Sequence, residues 1–191
     1  MHLYAHLVRY NKALRLMAIT LRFIAVSELG RSTAISAQLN MDYTLRPATK
    51  EDYRYCYRLT KKNMYDLYCR HWGGWVAAEF RNGFVVKNIT MVVIAGRRAG
   101  YISVKQSPDG IYIDNIQISP AWQGFGIGSD ILNRILDGSD KKNVILTTFD
   151  DNPAKRLYER MGFSVVERKG MTVRMEKLPN KAQNRGVNIT P

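Results

Sequence analysis

The 191-residue sequence has little cysteine, little histidine and few acidic side chains. Its two cysteines, Cys56 and Cys69, are too few for a disulfide framework and lack the spacing of metal ligands. Because the three histidines are scattered along the chain, the sequence predicts no metal site. The longest apolar stretches fall well short of the ~20 residues that a transmembrane helix needs, which excludes a membrane-spanning protein.

The shortage of acid gives the chain a strongly basic balance. It has 16 acidic residues against 29 lysines and arginines, so the formal net charge is +13. Such a charge favours anionic partners, which include nucleic acid, a membrane surface and a phosphorylated ligand, and it does not choose among them. Apolar residues make up 46% of the chain, which is ordinary for a globular protein and excludes a disordered one.

The first 40 residues differ in pattern from the rest. They hold five lysines and arginines but one acid, and apolar residues recur at three- and four-residue steps, as in a basic amphipathic helix. Three interpretations stay open: a mitochondrial-type transit peptide, a helix lying on a membrane or partner, or an extension upstream of a working start at Met41. We therefore expect a basic extension over 1–40, a folded domain over 41–178 and a loose tail over 179–191.

Apolar periodicity and turn residues divide the chain after Met41 into alternating elements. The expected strands are Tyr43–Arg46, Ile89–Ala95, Ala99–Lys105, Ile111–Ser119, Val144–Phe149, Ser164–Glu167 and Met171–Lys177. The expected helices run from Thr49 to Gly73, over Trp75–Asn82, over Gly126–Asp137 and from Asn152 to Gly162. This order predicts an α/β (α+β) sandwich with a mixed, mostly antiparallel sheet of about seven strands.

A glycine-rich loop, Gln123-Gly124-Phe125-Gly126-Ile127-Gly128, lies between the fourth strand and a helix. Glycines let the backbone approach a ligand closely, and a helix N-terminus offers free N–H groups that suit phosphate. A Walker loop would need Lys and then Ser or Thr after its last glycine, and the dinucleotide fingerprint would need glycine where Ser129 stands. The loop therefore predicts a pyrophosphate cradle, with a plain strand-to-helix turn as the alternative.

Two motifs at their usual separation carry a family resemblance. The strand Tyr112–Ser119 leads through Pro120 to Gln123-x-x-Gly126-x-Gly128, and later the chain reads Asn152-Pro153-Ala154 and Leu157-Tyr158-Glu159-Arg160-Met161-Gly162-Phe163. Together they resemble the GNAT superfamily of acetyl-CoA-dependent N-acyltransferases over residues 42–178. The resemblance implies helices on both faces of the sheet. It also implies that the fourth and fifth strands splay apart around the pantetheine arm of the donor.

The resemblance also implies which residues hold acetyl-CoA, the acyl donor, and it implies no metal. The main chain of Ile116 and Ile118 would pair with the pantetheine, and Asn152 would hydrogen-bond it. A main-chain N–H near Ile118 would stabilise the thioester oxygen as it becomes anionic. The pyrophosphate would bind the backbone N–H groups of Gln123, Gly124, Phe125, Gly126, Ile127, Gly128 and Ser129.

Tyr158 resembles the general acid that protonates the departing thiolate in this superfamily. A phenol with a pKa of about 10 stays protonated at neutral pH and can give its proton to a thiolate of similar basicity. Leu157, Tyr158 and Met161 also have helical spacing, so packing in the core is the alternative.

The acceptor amine must lose a proton to a base or to water. Asp114 and Glu79 are the candidate bases, with a solvated or salt-bridged carboxylate as the alternative for each. Asp114 qualifies only if it points into the cleft, and a bulge in its strand would reverse its direction. His71, Trp72 and Trp75 join the two early helices, where the superfamily usually builds its acceptor wall. They predict an aromatic acceptor pocket or a packed helix corner.

These observations predict an N-acetyltransferase that moves the acetyl group of acetyl-CoA to a primary amine, of a small molecule or a protein, by direct attack. The expected compartment is the cytoplasm, or the mitochondrial matrix if residues 1–40 are a transit peptide. A homodimer is one assembly that the sequence allows. The competing hypothesis is a basic protein with a vestigial site that senses CoA or binds nucleic acid or an acidic partner. Against it, the basic residues are spread out without aromatic interleaving.

Overall fold

The computed structural model describes residues 42–107, 110–139 and 142–179, so the predicted extension over 1–40 lies outside the described residues. Within these ranges the strands are Thr44–Pro47 (β1), Ile89–Ile94 (β2), Arg97–Ser107 (β3), Gly110–Ile118 (β4), Val144–Phe149 (β5), Ser164–Lys169 (β6) and Thr172–Lys177 (β7). The α-helices are Tyr53–Trp72 (α1), Ala77–Gly83 (α2), Ile127–Asp137 (α3) and Lys155–Arg160 (α4). None of these helices is long and apolar enough to cross a bilayer.

The seven described strands form one sheet in the order β1-β2-β3-β4-β5-β7-β6. All neighbours are antiparallel except β4 and β5, which are parallel. The predicted mixed sheet is therefore confirmed. β3 is longer than predicted because it stays paired with β4 as far as Ser107, which lies opposite Gly110.

Helices cover both faces of the sheet, as the family resemblance implied. On one face, Cys56 and Leu59 of α1 pack with Met91 and Tyr101 in a buried cluster. On the other face, α3 and α4 bury their apolar sides. Their buried residues include Ile127, Ile131, Leu132 and Tyr158. Apolar side chains fill both faces, so burial of the sheet stabilises the domain and fixes its register.

β4 and β5 pair over a short stretch and then separate. Their register is limited to Ile111–Val144, Tyr112–Ile145 and Ile113–Leu146. Beyond these pairs β4 follows β3 as far as Ile118, whereas β5 follows β7 as far as Phe149. A bulge interrupts β4 at Asp114, and a bulge bends its strand. The predicted splay of these two strands is thus present.

A buried carboxylate fastens the start of α1 to the edge of the sheet. Asp52 is fully buried and accepts two hydrogen bonds from Arg46, at 2.8 and 2.9 Å, and one from Nε of Arg98 at 2.7 Å. The N–H of Thr49 donates to the same carboxylate at 2.9 Å, which is half of the capping box that the sequence predicts. Hydrogen bonding to Arg46 contributes most to lowering the pKa of Asp52 below its ordinary value.

We expect Asp52→Asn to lower the free energy of unfolding by about 2 kcal/mol, because it weakens the charge-assisted hydrogen bonds that two arginines donate to this buried side chain. The folded-state pKa of Asp52 is lowered, so its contribution is present above an ordinary carboxyl pKa and is lost as the pH falls below it. Urea denaturation between pH 3 and pH 7 measures both effects. Asp66→Asn, on the exposed side of α1, is the control and should change stability little; equal losses in both variants would contradict the assignment.

Candidate active site

A cavity of about 770 Å³ occupies the space between the separated strands. Residues 113–118 of β4 line one side, and residues 146–149 of β5 line the other. The loop after β4 and the start of α4 close its ends, with Arg160 as the basic side chain among the described lining residues. The cavity therefore has two exposed strand edges as walls and a helix N-terminus at one end.

The backbone of β4 turns an unpaired edge toward this cavity. The N–H of Ser119 donates to Ala99 on β3, at 2.7 Å, so the neighbouring Ile118 faces the opposite way, into the gap. Its carbonyl oxygen accepts hydrogen bonds from Nε2 of Gln123 at 2.8 Å and from Nδ2 of Asn63 at 3.1 Å. Ile116, two residues earlier, shares this direction. Both predicted pantetheine partners thus turn their main chain to the gap, and their contact with a donor stays a prediction.

The glycine loop after β4 presents a run of free N–H groups. Gly124 and Gly126 have φ values of 82° and 83°, a conformation that favours glycine. The first N–H bonded back into the helix is that of Asp130, at 3.0 Å from the oxygen of Gly126. Ahead of it, the N–H groups of residues 124–129 have no acceptor within the described part of the chain. This arrangement suits a diphosphate.

Tyr158 lies on α4 and lines the same cavity. Its side chain is buried, yet its hydroxyl makes no hydrogen bond to a described residue and is not among the fully enclosed oxygens, so it is open to the cavity. Burial raises the pKa of Tyr158 to about 12. The phenol is therefore fully protonated at neutral pH, as a proton donor must be.

Asn152, the predicted partner of the pantetheine arm, also lines the cavity. Its Nδ2 donates to Oγ1 of Thr148 at 2.9 Å, and its Oδ1 accepts from the N–H of Ala154 at 3.0 Å. This local turn explains why α4 begins at Lys155 rather than at Asn152, where the sequence predicts the helix to open. One amide N–H remains for a ligand.

A second cavity, of about 220 Å³, lies on the α1–α2 side of the sheet. Thr60, Tyr68, Asp114 and Asn115 line both cavities, so the two spaces meet at the bulge of β4. Aromatic rings form much of the remaining wall, which also contains two carboxylates, those of Asp114 and Glu79. The other lining residues include Trp75, Phe80, Phe84 and Tyr101.

The bulge decides the direction of Asp114, which strand alternation left open. Asp114 shares the side of Ser103 and Lys105, because its carboxylate accepts hydrogen bonds from Oγ of Ser103 at 3.4 Å and from Nζ of Lys105 at 2.7 Å. Asp114 therefore lies where the two cavities meet, but it forms an ion pair with Lys105. A salt-bridged carboxylate was the alternative to its predicted role as a base. Glu79 has no ion pair among the described residues. The role of each as a base stays a prediction.

The three predicted acceptor residues separate in the structure. Trp75 lines the small cavity and Trp72 lines the large one. His71 belongs to the described lining of neither cavity; its ring stacks on Phe149 at 4.9 Å, and Nε2 lies 2.8 Å from a carboxylate oxygen of Asp151. His71 thus ties the end of α1 to the loop after β5, a position that does not favour its predicted acceptor role.

Sequence reasoning missed three residues of the site: Thr60, Tyr68 and Asn63. Tyr68 has the helical spacing of the apolar stripe of α1, and its ring packs on Trp72 and Phe149. The signal that could have identified them is the pair of hydroxyl groups, of Thr60 and Tyr68, at the edge of that apolar stripe.

Within the described ranges, no three His, Cys, Asp or Glu side chains are grouped to hold a metal ion.

Comparison with known proteins agrees with this geometry. A sequence model of the family described as Acetyltransferase (GNAT) domain matches residues 73–165. Over 60 residues the chain is 40% identical to a GCN5-like protein acetyltransferase of Mycobacterium tuberculosis, a match that spans 29% of this chain and 29% of that protein.

Solved structures show the same fold at low sequence identity. The PaiA N-acetyltransferase of Thermoplasma acidophilum, in complex with coenzyme A, has a TM-score of 0.58 at 16% identity and covers 72% of this chain and 99% of its own. An acetyltransferase of Thermus thermophilus has a TM-score of 0.57 at 19% identity, with coverage of 71% and 96%. The fold is therefore that of the acetyltransferases. Residues 73–165 thus match the model of a GNAT acetyltransferase domain, as the resemblance of the two motifs predicted.

We expect Gly126→Asp to weaken CoA binding about a hundredfold, because it places a side chain and a negative charge where the free N–H groups of the loop would meet a phosphate. Calorimetric titration with CoA measures the change. Gly170→Asp is the matched control, since Gly170 also has a positive φ, of 57°, but lies in the β6–β7 turn away from the cavities. Unchanged CoA affinity in Gly126→Asp, with both variants folded, would reject the cradle.

Proposed function

We propose that the chain is an acetyl-CoA-dependent N-acetyltransferase that acetylates a primary amine by direct attack. The observation that carries the proposal is that the two cavities lie side by side and share Asp114 and Asn115 as lining residues. The larger cavity combines the free strand edge and the free N–H run that a CoA thioester requires. The smaller one gives an acceptor access to the reacting end of that thioester.

The chemical step assigns a role to each side of the junction. The amine attacks the thioester carbonyl carbon, the carbon–sulfur bond breaks, and the sulfur leaves as a thiolate. A main-chain N–H near Ile118 stabilises the oxygen that becomes anionic, a contribution of a few kcal/mol in comparable sites. Tyr158 donates its phenolic proton to the thiolate, which gives free CoA, and the proton that the nitrogen loses as the amide forms returns through water to the phenolate.

The ammonium group of the acceptor must lose a proton before its nitrogen can attack, so this proton needs a base on the α1–α2 side. Glu79 is the better candidate of the two carboxylates, because Asp114 is already bonded to Lys105. Water in the open mouth of the cavity is the alternative base.

We expect Tyr158→Phe to lower kcat by about 10² to 10⁴ while the KM for acetyl-CoA changes little, because the hydroxyl acts on the departing thiolate. A thiol-release assay with a panel of amines measures both constants. Tyr65→Phe removes a hydroxyl from an exposed ring on α1, outside both cavities, and should leave both constants unchanged. An equal loss of turnover and of donor binding in Tyr158→Phe would count against the acid role.

The raised pKa of Tyr158 makes a separate prediction for the pH profile. Since the acid form persists up to about pH 12, kcat should rise as the acceptor deprotonates and show no falling limb at about pH 10. An unperturbed phenol would produce such a limb. Circular dichroism at each pH confirms that the chain is folded, and a falling limb at about pH 10 in folded protein would contradict the assignment.

A further inference from the structure

The charge of the small cavity is opposite to that of the chain. Among the described residues that line it, two are carboxylates, Glu79 and Asp114, and none is lysine, arginine or histidine. The whole chain nevertheless has a formal net charge of +13. A local negative field in a basic protein selects cationic ligands and repels anionic ones.

Glu79 is the carboxylate of the small cavity whose negative charge has no ion-pair partner among the described residues. Asp114 is paired with Lys105 at 2.7 Å, which neutralises much of its field. Burial is the main cause that raises the pKa of Tyr68, and the charges of Glu79 and Asp114 raise it further. Both carboxylates therefore lie close enough to the Tyr68 hydroxyl to act on it. A cation beside the Tyr68 hydroxyl would therefore meet both carboxylates.

The walls of the cavity are suited to an organic cation rather than to a hydrated metal ion. Trp75 contacts Tyr68 at a centroid distance of 5.2 Å and Phe80 at 5.8 Å, and Phe80 contacts Phe84 at 5.8 Å. These rings offer apolar surface to methylene groups and electron-rich faces to an ammonium group. The indole N–H of Trp75 donates to Tyr57 at 3.1 Å, which fixes the orientation of the largest ring.

We propose that the small cavity selects an alkylammonium acceptor whose short chain carries no carboxylate, with Glu79 as the specificity-determining charge. This inference rests on the proposed transferase function, because it assigns the small cavity to the acceptor. A free amino acid fits poorly, since its carboxylate would find two negative groups and no lining cation. A lysine side chain or a small aliphatic amine satisfies both the charge and the rings.

Calorimetry on the CoA complex of the full chain tests this preference without turnover. The probes are n-butylamine and 4-aminobutanoate, which present the same amine on similar chains and differ by one carboxylate. We expect n-butylamine to bind about tenfold more tightly than 4-aminobutanoate, and Glu79→Gln to weaken n-butylamine about tenfold by loss of one charge-assisted contact. Glu167→Gln on β6 is the matched control and should bind n-butylamine as the wild type does.

Equal binding of the two probes, no binding of n-butylamine, or no effect of Glu79→Gln overturns the inference. Thiol release with acetyl-CoA separates this failure from failure of the proposed function. Acetylation of amino acids but not of n-butylamine overturns the preference and leaves the transferase standing. Binding of n-butylamine with the expected Glu79 effect, but without thiol release from any acceptor, supports the selectivity of the cavity and contradicts the transferase.

Discussion

β4 and β5 stop pairing after Ile113 and Leu146, and this separation creates the space that both cavities border. Each strand keeps its outer neighbour, so neither unfolds, while their inner edges retain unpaired hydrogen-bonding groups. Such groups are costly to leave unmatched in a protein interior. The separated edges therefore form a site in which an extended ligand with amide groups can replace the missing strand pairing.

The bulge at Asp114 connects this opening to the other face of the sheet. It bends β4, and it places Asp114 beside Ser103, on the side of α1 and α2. The larger cavity offers main-chain N–H groups and Arg160, whereas the smaller one offers Glu79 and aromatic rings. This separation of charge would suit the proposed reaction between an anionic donor and a cationic amine, because each reactant would be attracted to a different cavity.

The sequence predicted the elements well where local rules decide them. Gly73 ends α1 in a left-handed conformation, and β5 has the predicted bounds, because glycine and β-branched apolar residues constrain the chain locally. The direction of Asp114 depends on a bulge, and the place of His71 depends on its contact with Asp151, eighty positions away. Tertiary contacts of this kind leave no periodic signal. The joining of two cavities beside Tyr68 was unpredictable for the same reason.

Backbone amide chemical shifts, recorded by NMR during titration with CoA, test most directly whether the gap between β4 and β5 holds the donor. We expect the largest changes on the N–H groups of residues 124–129 and on those of Ile116 and Ile118. The outer strands β1 and β6 should show small changes. Changes concentrated on those outer strands, with the loop and the inner edge of β4 unaffected, would contradict binding of the donor in the gap.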